Sequence, residues 1–422
     1  MGAGFAGLNA VHALRTTNAE VTIVDRNNFH TFQPLLYQVS TGYLGPDEVG
    51  VTVRSVFRQQ RRVTVRVGTV IGVDWSTCRL QLEDGAELPF DYLVVAVGAT
   101  THYFDIPGMQ ENSWPLYTLG DAVRLRSHLL AELERAAGDP DPNAQPATVA
   151  VVGGGPTGVE MAGALATMGR DLIGGDVGMR VVLIEALPRL LNGFSDKSGR
   201  RALNDLRSRH VDVRLGTSVK SANADSLTLE TGESIPTHTI VWAAGVRSNP
   251  LGEQLGLTTG KGGGVVVGSD LQVRDRPRVF AVGDAALISP VGSRQPLPRL
   301  GPVAIQSGKH AGRQIARLIA GRPTTPFKYF DKGVMAVLGR GNAVAEVPWP
   351  GKGVAVGGRL AWLLWLGVHI VYLVGFRNRL KVLVDWGWNY LTARGAGAIL
   401  VHQGRPSGGS TGLAPRGRTH RR

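Results

Sequence analysis

Apolar positions along this chain switch repeatedly between a helical spacing and short β-branched runs. FAGLNAVHALR (5–15) reads as a helix, and VTIVD behind it reads as a buried strand that ends on Asp25. Between 63 and 98 the alternation of RVTVRVGTVIGVDW and CRLQLEDGAELPF predicts a small β-meander, closed by the buried strand DYLVVAV, which stops at Gly98. DAVRLRSHLLAELERAA (121–137) repeats its leucines at helical spacing and opens on Asp121, and GDPDPNAQP then breaks the pattern. ATVAVV (147–152) resumes as a strand that runs into a second helix, and after the glycine-rich GRDLIGGDVGM the strand RVVLIE ends on Glu185. Further on, SLTLETGESIPTHTIVWAAG reads as a hairpin feeding a buried strand that stops at Gly245. RVFAVGDAA reads as a strand ending at Gly283-Asp284, before small residues that start a helix.

Laid beneath one another, GAGFAGLNAVHAL and GGGPTGVEMAGAL form an internal repeat at an offset of 151 residues. Each copy carries a glycine fingerprint, Gly2-x-Gly4-x-x-Gly7 and Gly153-x-Gly155-x-x-Gly158, and each opens a helix followed by a strand with a terminal acid. One such motif is weak evidence, but two in the same context point to two sockets in which a pyrophosphate meets a helix N-terminus. The terminal carboxylate of each unit stands where it can accept from a ribose hydroxyl. For Asp25 the alternative is a turn-forming residue ahead of Arg26-Asn27-Asn28. Asp284 suits a ribityl hydroxyl and equally a helix N-cap. The pattern predicts an α/β chain with two Rossmann-like dinucleotide-binding domains. Because a strand should deliver the chain into the first fingerprint, one is expected upstream of Met1.

Composition narrows this reading. The chain has 422 residues, 43% of them hydrophobic, which is enough for two or three domains with substantial cores. Cys78 is the single cysteine, so neither a disulfide framework nor a dithiol redox pair is available within the chain. The 10 histidines show no metal-ligand spacing, and no metal is expected. No signal peptide is visible, which favours the cytoplasm. Of the net charge of +13, nine come from residues 359–422, where ten basic residues face one acid, Asp385. Such a block suits a phosphate-bearing surface, and its alternative is a solvated tail.

The order of these motifs resembles the two-dinucleotide-binding flavoprotein reductases, and within them the type II NADH:quinone oxidoreductases, which pump no protons. The matching text is GAGFAGL, HTFQPLLYQVSTG, GGGPTGVEMAGAL, LIEALPRLL, TIVWAAGV, VFAVGDAA, PVAIQSGKHAG and YFDKGVMAVLGRGNAVAEV. The resemblance implies FAD on Gly2, Gly4, Gly7, Asp25 and Asp284, and NADH on Gly153, Gly155, Gly158 and Glu185, with Gly98 and Gly245 added as cofactor-binding candidates. A carboxylate such as Glu185 repels a 2′-phosphate and favours NADH over NADPH, although Arg189 stands near it. A hydride passes from NADH to FAD and two electrons pass on to a membrane quinone, so few catalytic side chains are expected. Glu160 matches a family glutamate near both cofactors, and its alternative is the capping box Thr157-Gly-Val-Glu160. Gln306 matches a family glutamine at the quinone site, and its alternative is a helix-surface residue. Where the family often has a second glutamine, this chain has Pro302, which departs from the pattern and leaves the quinone type open.

The resemblance divides the chain into a FAD-binding domain (1–118 and 261–330) with the NADH-binding domain (119–260) inserted, a C-terminal region (331–402) and a basic tail (403–422) expected to be disordered. Leu360 to Phe376 is a seventeen-residue apolar run, at the short limit for a bilayer span. After it, Asn378, Lys381, Asp385, Asn389 and Thr392 form one polar stripe on a helix whose remaining positions are apolar or aromatic (Trp386, Trp388, Tyr390). That distribution suits a peripheral helix on an anionic membrane, at the cytoplasmic face of the cell membrane. The alternative is a helix pair buried against the flavin domain or in a homodimer seam. Two rival functions follow: a reductase of a soluble acceptor, and a degenerate flavoprotein acting as a basic binding module. RNP-like aromatics, zinc spacing and a recognition-helix pattern are all missing, so nucleic acid is not expected as a partner.

Overall fold

The computed structural model describes residues 1–138, 146–172, 179–290, 292, 295–348 and 353–392. Among the described residues seven helices reach ten residues: α1 (Phe5–Leu14), α2 (Leu119–Ala137), α3 (Pro156–Leu172), α4 (Asp196–Ser208), α5 (Gly301–Ile319), α6 (Arg359–Tyr372) and α7 (Phe376–Thr392). None is long and apolar enough to cross a membrane.

The central unit is a five-stranded parallel sheet in the order Trp114–Pro115, Thr239–Trp242, Ala147–Val152, Met179–Glu185, Asp212–Leu215. Val149, Val151 and Val181 are buried beneath helices on one face, and Ala150, Val152 and Val182 beneath Val219, Leu227, Leu229 and Ile235 of an antiparallel three-stranded sheet on the other, which is why these strands read as continuous apolar runs rather than alternating ones. Strand order reverses beside Ala147–Val152, and the second fingerprint sits at that switch point.

The flanking unit is built from both ends of the chain. Val21–Asp25 pairs in parallel with Val63–Val67, and Leu93–Val95 pairs in parallel with Arg276–Ala281. Between the two pairs runs the first residue: the Met1 amino nitrogen donates to Val94 O (3.0 Å), Ala96 N donates to Met1 O (2.9 Å), and Gly2 N donates to Val24 O (2.7 Å). Helices α1 and α5 pack so closely over this sheet that Gly308 and Gly312 lie directly against the Ala6 and Ala10 backbone, where any Cβ would collide.

Three local expectations are corrected. Val63–Val67 is not part of the meander, which comprises Val70–Asp74, Arg79–Leu82 and Glu87–Pro89; it joins the distant Val21–Asp25 instead. Helix α2 starts two residues before Asp121, capped by Thr118, whose hydroxyl accepts from Asp121 N while Asp121 accepts from Thr118 N. Asp284 does not start a helix: it lies in a single 3-10 turn, Gly283–Ala285, followed by a two-residue strand.

Residues 334–358 form an antiparallel three-stranded sheet (Val334–Gly339, Asn342–Val347, Val354–Gly358) docked on α3 and α4. Its Glu346 reaches across to the start of α4, accepting from the Ser195 N–H and hydroxyl and from the Ser198 hydroxyl. A carboxylate there satisfies orphan donors and faces the positive end of the helix dipole. The sheet leads into α6, and the chain then folds back at Gly375 (φ +88°) into α7.

Candidate active site

The two fingerprints are built alike at all three glycines. In each, the first glycine has positive φ (Gly2 +94°, Gly153 +114°) and leaves no room for a Cβ against the neighbouring strand end, Ala96 or Ala243. The third is pressed onto the first: a Cβ on Gly7 would stand 1.9 Å from Gly2 O, and one on Gly158 would stand 1.8 Å from Gly153 O. The second, Gly4 or Gly155, has nothing within 4 Å of its Cβ position, so the backbone there is bare to an incoming group. These are the requirements of a turn that brings a helix N-terminus up to a diphosphate.

The acids repeat as well. Asp25 accepts from Ala3 N (2.7 Å) and Asn27 N (2.7 Å), and Glu185 accepts from Gly154 N and Leu187 N (2.8 Å). Each carboxylate therefore staples its fingerprint to its own turn and still has lone pairs for a ribose hydroxyl. The turn-forming and ribose-binding alternatives for Asp25 coexist in one geometry.

A cleft of about 600 Å³ opens at the first fingerprint, lined by Gly2, Gly4, Asp25, Gly98 and Asp284. Sequence reasoning assigned no role to Phe5, Gln33, Tyr117 or Asn249, which also line it. Gln33 belongs to the quoted HTFQP stretch, a signal available in the sequence. Burial raises the Asp284 carboxyl to about 6, against the opposing pull of Arg299. The Tyr117 hydroxyl accepts from Ala99 N (3.1 Å), and burial followed by the Asp284 charge raises its pKa. With the backbone bare at Gly4 and the Asp25 and Asp284 carboxylates in its wall, the cleft fits a dinucleotide.

Other candidates lie elsewhere. Gly7 and Gly158 act by packing and do not line this cleft, and Gly245 sits under the Phe104 ring where the chain returns from the central unit. Gln306 is pinned to one backbone residue, its amide donating to Phe330 O (2.9 Å) and accepting from Phe330 N (3.0 Å). Pro302 occupies the first turn of α5, a place that a residue without an N–H fills at no cost.

Glu160 is buried in α3 and does not close a capping box; it accepts from Val337 N (3.1 Å). It walls a second cavity of about 80 Å³, room for a few waters, with Tyr37, Gln38, Trp362, Trp365 and Trp386. Burial raises its carboxyl to about 8, opposed by the Val337 N–H and by the nearby Trp365 indole. The group is thus mainly protonated at neutral pH, beneath the C-terminal helices. No group of His, Cys, Asp and Glu among the described residues has the arrangement of a metal site.

The pyridine nucleotide-disulphide oxidoreductase family matches residues 1–308, and the NDH2 C-terminal domain matches residues 332–395. The type II NADH:quinone oxidoreductase Ndh of Mycobacterium tuberculosis is 35% identical over 93% of this chain and 88% of its own length. This chain belongs to the type II NADH:quinone oxidoreductases. A relative of that name from Staphylococcus aureus is 29% identical over 82% of this chain and 88% of its own. In fold, the NDH2 of Plasmodium falciparum solved with NADH superposes with a TM-score of 0.84 at 19% identity, over 94% of this chain and 98% of that one. The Aquifex aeolicus sulfide:quinone oxidoreductase shares the fold at a TM-score of 0.73 and 16% identity, over 95% of each chain. As a type II oxidoreductase with a single cysteine, this chain has no dithiol for disulfide chemistry.

In this type II enzyme, Glu160 makes stability depend on pH. Its folded pKa of about 8 stands above the ordinary 4.5, so between those values the folded state holds a proton that the unfolded state has lost. Stability is therefore full below about 4.5 and falls as pH rises to about 8, by an amount on the order of a few kcal/mol. Glu160→Gln removes that titration. Thermal unfolding should show the variant close to the parent at pH 5 and clearly more stable at pH 8.5; equal melting of both proteins at pH 8.5 contradicts the buried carboxyl's role.

Proposed function

We propose that this enzyme oxidises NADH in the second socket and reduces a quinone through FAD held in the first. The observation that carries the reading is the duplicated fingerprint, two sockets of one design in a chain of this family. When bound, FAD supplies the chemistry of accepting a hydride and delivering two electrons to the quinone. The protein positions the two carriers: Gly2, Gly4 and Gly7 shape the flavin turn, Asp25 and Asp284 offer carboxylates to its ribose and ribityl hydroxyls, and Gly98 borders the same cleft. Gly153, Gly155 and Gly158 shape the nicotinamide turn and Glu185 holds the ribose, with Gly245 at the crossover behind it. Glu160, protonated near neutrality, is the candidate proton-holding group below the C-terminal helices. Gln306 keeps a second amide N–H and a second Oε1 lone pair beside its two bonds to Phe330, and these are what it would offer a quinone.

The test is direct. Purified full-length protein should be yellow, lose its flavin absorbance under NADH without oxygen, and regain it on addition of a short-chain quinone. Failure to bleach removes the nicotinamide arm, and failure to recover removes the quinone arm.

Selection of NADH over NADPH follows from Glu185. Its carboxylate repels a 2′-phosphate, and Arg189 is committed to Asp196 and to Asn192 (Nε to Oδ1 3.0 Å, Nη2 to O 2.8 Å). Glu185→Ser should raise KM for NADH about tenfold, leave kcat little changed and narrow the gap to NADPH. Steady-state kinetics with both nucleotides check this; an undiminished preference contradicts the assignment.

The C-terminal helices supply the membrane contact, on the cytoplasmic face. One face of the pair is buried through Ala361, Trp365, Val382 and Trp386. The other exposes Leu360, Leu363, Leu364, Val368 and Val371 on α6 and Leu380, Leu383, Val384 and Trp388 on α7, at three- and four-residue spacing. Nine of the eighteen exposed large apolar side chains among the described residues thus lie on this one pair. So dense a patch marks an interaction surface. The polar stripe on α7 meets the flavin-side segment: Lys381 pairs with Asp47, and Asn378 approaches the Asp47 and Glu48 carbonyls. Asn389, Tyr390 and Thr392 lie outside the described side chains, and the tail beyond 392 lies outside the described residues. A homodimer is the alternative cover for the same face, distinguished by sedimentation with and without vesicles.

A further inference from the structure

His30 is almost wholly buried, in the short strand Phe29–Thr31 just beyond Asp25, and neither nucleotide assignment uses it. Its Nδ1 lies 3.0 Å from Ala3 O, and its Nε2 is buried with no hydrogen-bond partner. A carbonyl oxygen only accepts, so Nδ1 carries a proton, and a second, charged N–H at the buried and unpartnered Nε2 would be left unsatisfied, so the ring is neutral. Burial also lowers the pKa of the ring, in keeping with this state. The Phe5 ring meets it edge-on at 5.1 Å and holds it in place.

The second fingerprint makes the same bond by other means. Its middle residue, Gly154, corresponds to Ala3, and Gly154 O accepts from the backbone N–H of Leu191 (2.8 Å). His30 follows its acid by five residues and Leu191 follows its acid by six, so both donors come from the loop beyond the terminal carboxylate. A tethered carbonyl at this position is therefore part of the socket design, fulfilled once by a side chain and once by the main chain.

Peptide geometry gives the bond its consequence. The peptide unit is planar and trans, so the Ala3 C=O and the Gly4 N–H point in opposite directions. With the carbonyl drawn down to His30, the Gly4 N–H is directed up into the cleft that Gly4 lines. The preceding peptide is fixed as well, its Ala3 N–H donating to Asp25 (2.7 Å), so the chain enters the Ala3–Gly4 peptide from a held position. We infer that His30 is a positioning residue of the flavin socket, whose Nδ1–H holds the Ala3 carbonyl back and so presents the Gly4 N–H to the diphosphate of FAD.

The inference rests on the reading that FAD fills this cleft. Two variants of the full-length protein separate donor from shape: His30→Phe keeps a ring against Phe5 but has no donor, and His30→Asn keeps an amide donor near the Nδ1 position. FAD affinity is measured by titrating flavin back into the deflavinated protein, with thermal unfolding of the same samples as a check on folding. His30→Phe should weaken FAD binding about tenfold or more, while His30→Asn stays within about threefold of the parent. NADH binding should be equal in all three. Parent-like FAD affinity in His30→Phe overturns the inference, as does equal weakening in both variants, which would assign the loss to ring packing. A parent protein that takes up no FAD overturns the cleft assignment itself, a distinct result.

Discussion

Gly158→Ala should yield a protein that is yellow yet blind to NADH, and Gly7→Ala should yield one that is colourless. The two changes add one methyl each at equivalent places in the repeat. In either socket the new Cβ would come within 2 Å of a main-chain oxygen of the first glycine (1.8 Å in the nicotinamide socket, 1.9 Å in the flavin socket). Backbone cannot give way there without lifting the helix from its strand, and the N–H groups that face the diphosphate move with it. Overpacking of this kind costs about 1–3 kcal/mol in ordinary cores. Here the displacement also removes the ligand geometry, so affinity should fall by about a hundredfold or more. Flavin content by absorbance and NADH binding by calorimetry read the two effects separately. Loss of both ligands in both variants would contradict the independence of the sockets, and retention of both would contradict their assignment.

Replacing Leu363, Val371 and Leu383 together by serine should release the enzyme from vesicles, whereas raising salt should not. The magnitudes decide this. Each buried aliphatic side chain contributes about 1.5–3 kcal/mol, and basic residues near an anionic surface contribute about 1 kcal/mol each. Among the described basic residues of α6 and α7, Lys381 is paired with Asp47, and Arg379 donates to Leu373 O and Val371 O (2.8 Å each). Apolar contact is thus the dominant part of what these two helices supply. Losing three such side chains should cost about 4.5 kcal/mol or more, upwards of a thousandfold in partitioning. Cosedimentation with vesicles containing anionic lipid measures it; a triple variant that still sediments, or a parent washed off by salt, contradicts the apolar face as the anchor. Point substitution is preferable to truncation, because removing α6 uncovers the Trp365 cavity, and removing the preceding sheet also takes Glu346 from the start of α4.

What was legible in the sequence had local causes. Gly2 and Gly153 announce themselves because a fingerprint turn demands positive φ within a few residues. The acids at 25 and 185 are visible because a terminal carboxylate follows its strand directly. The illegible parts depend on partners far along the chain. Val63–Val67 alternates like a hairpin strand, and only its pairing with Val21–Asp25 shows that it is parallel. The spacing of the stripe on α7 shows a polar face but not what meets it, because its partner, Asp47, lies 334 residues earlier. Glu160 fitted a capping box by spacing, yet its side chain is fixed by Val337, 177 residues later. The tethered carbonyls escape a motif search for another reason: an imidazole and a main-chain N–H perform one task, and nothing in the letters equates them.

The fold-back at Gly375 sets a limit on geometry. As a single rod, Arg359 to Thr392 would measure about 50 Å, well beyond a hydrocarbon slab of about 30 Å. Bent at Gly375, with Trp365 and Trp386 rings 5.7 Å apart across the pair, each limb extends only about half as far. The entrance and the exit of the hairpin then lie on the same side, so under the membrane contact proposed for this pair both limbs would meet the bilayer from that one side.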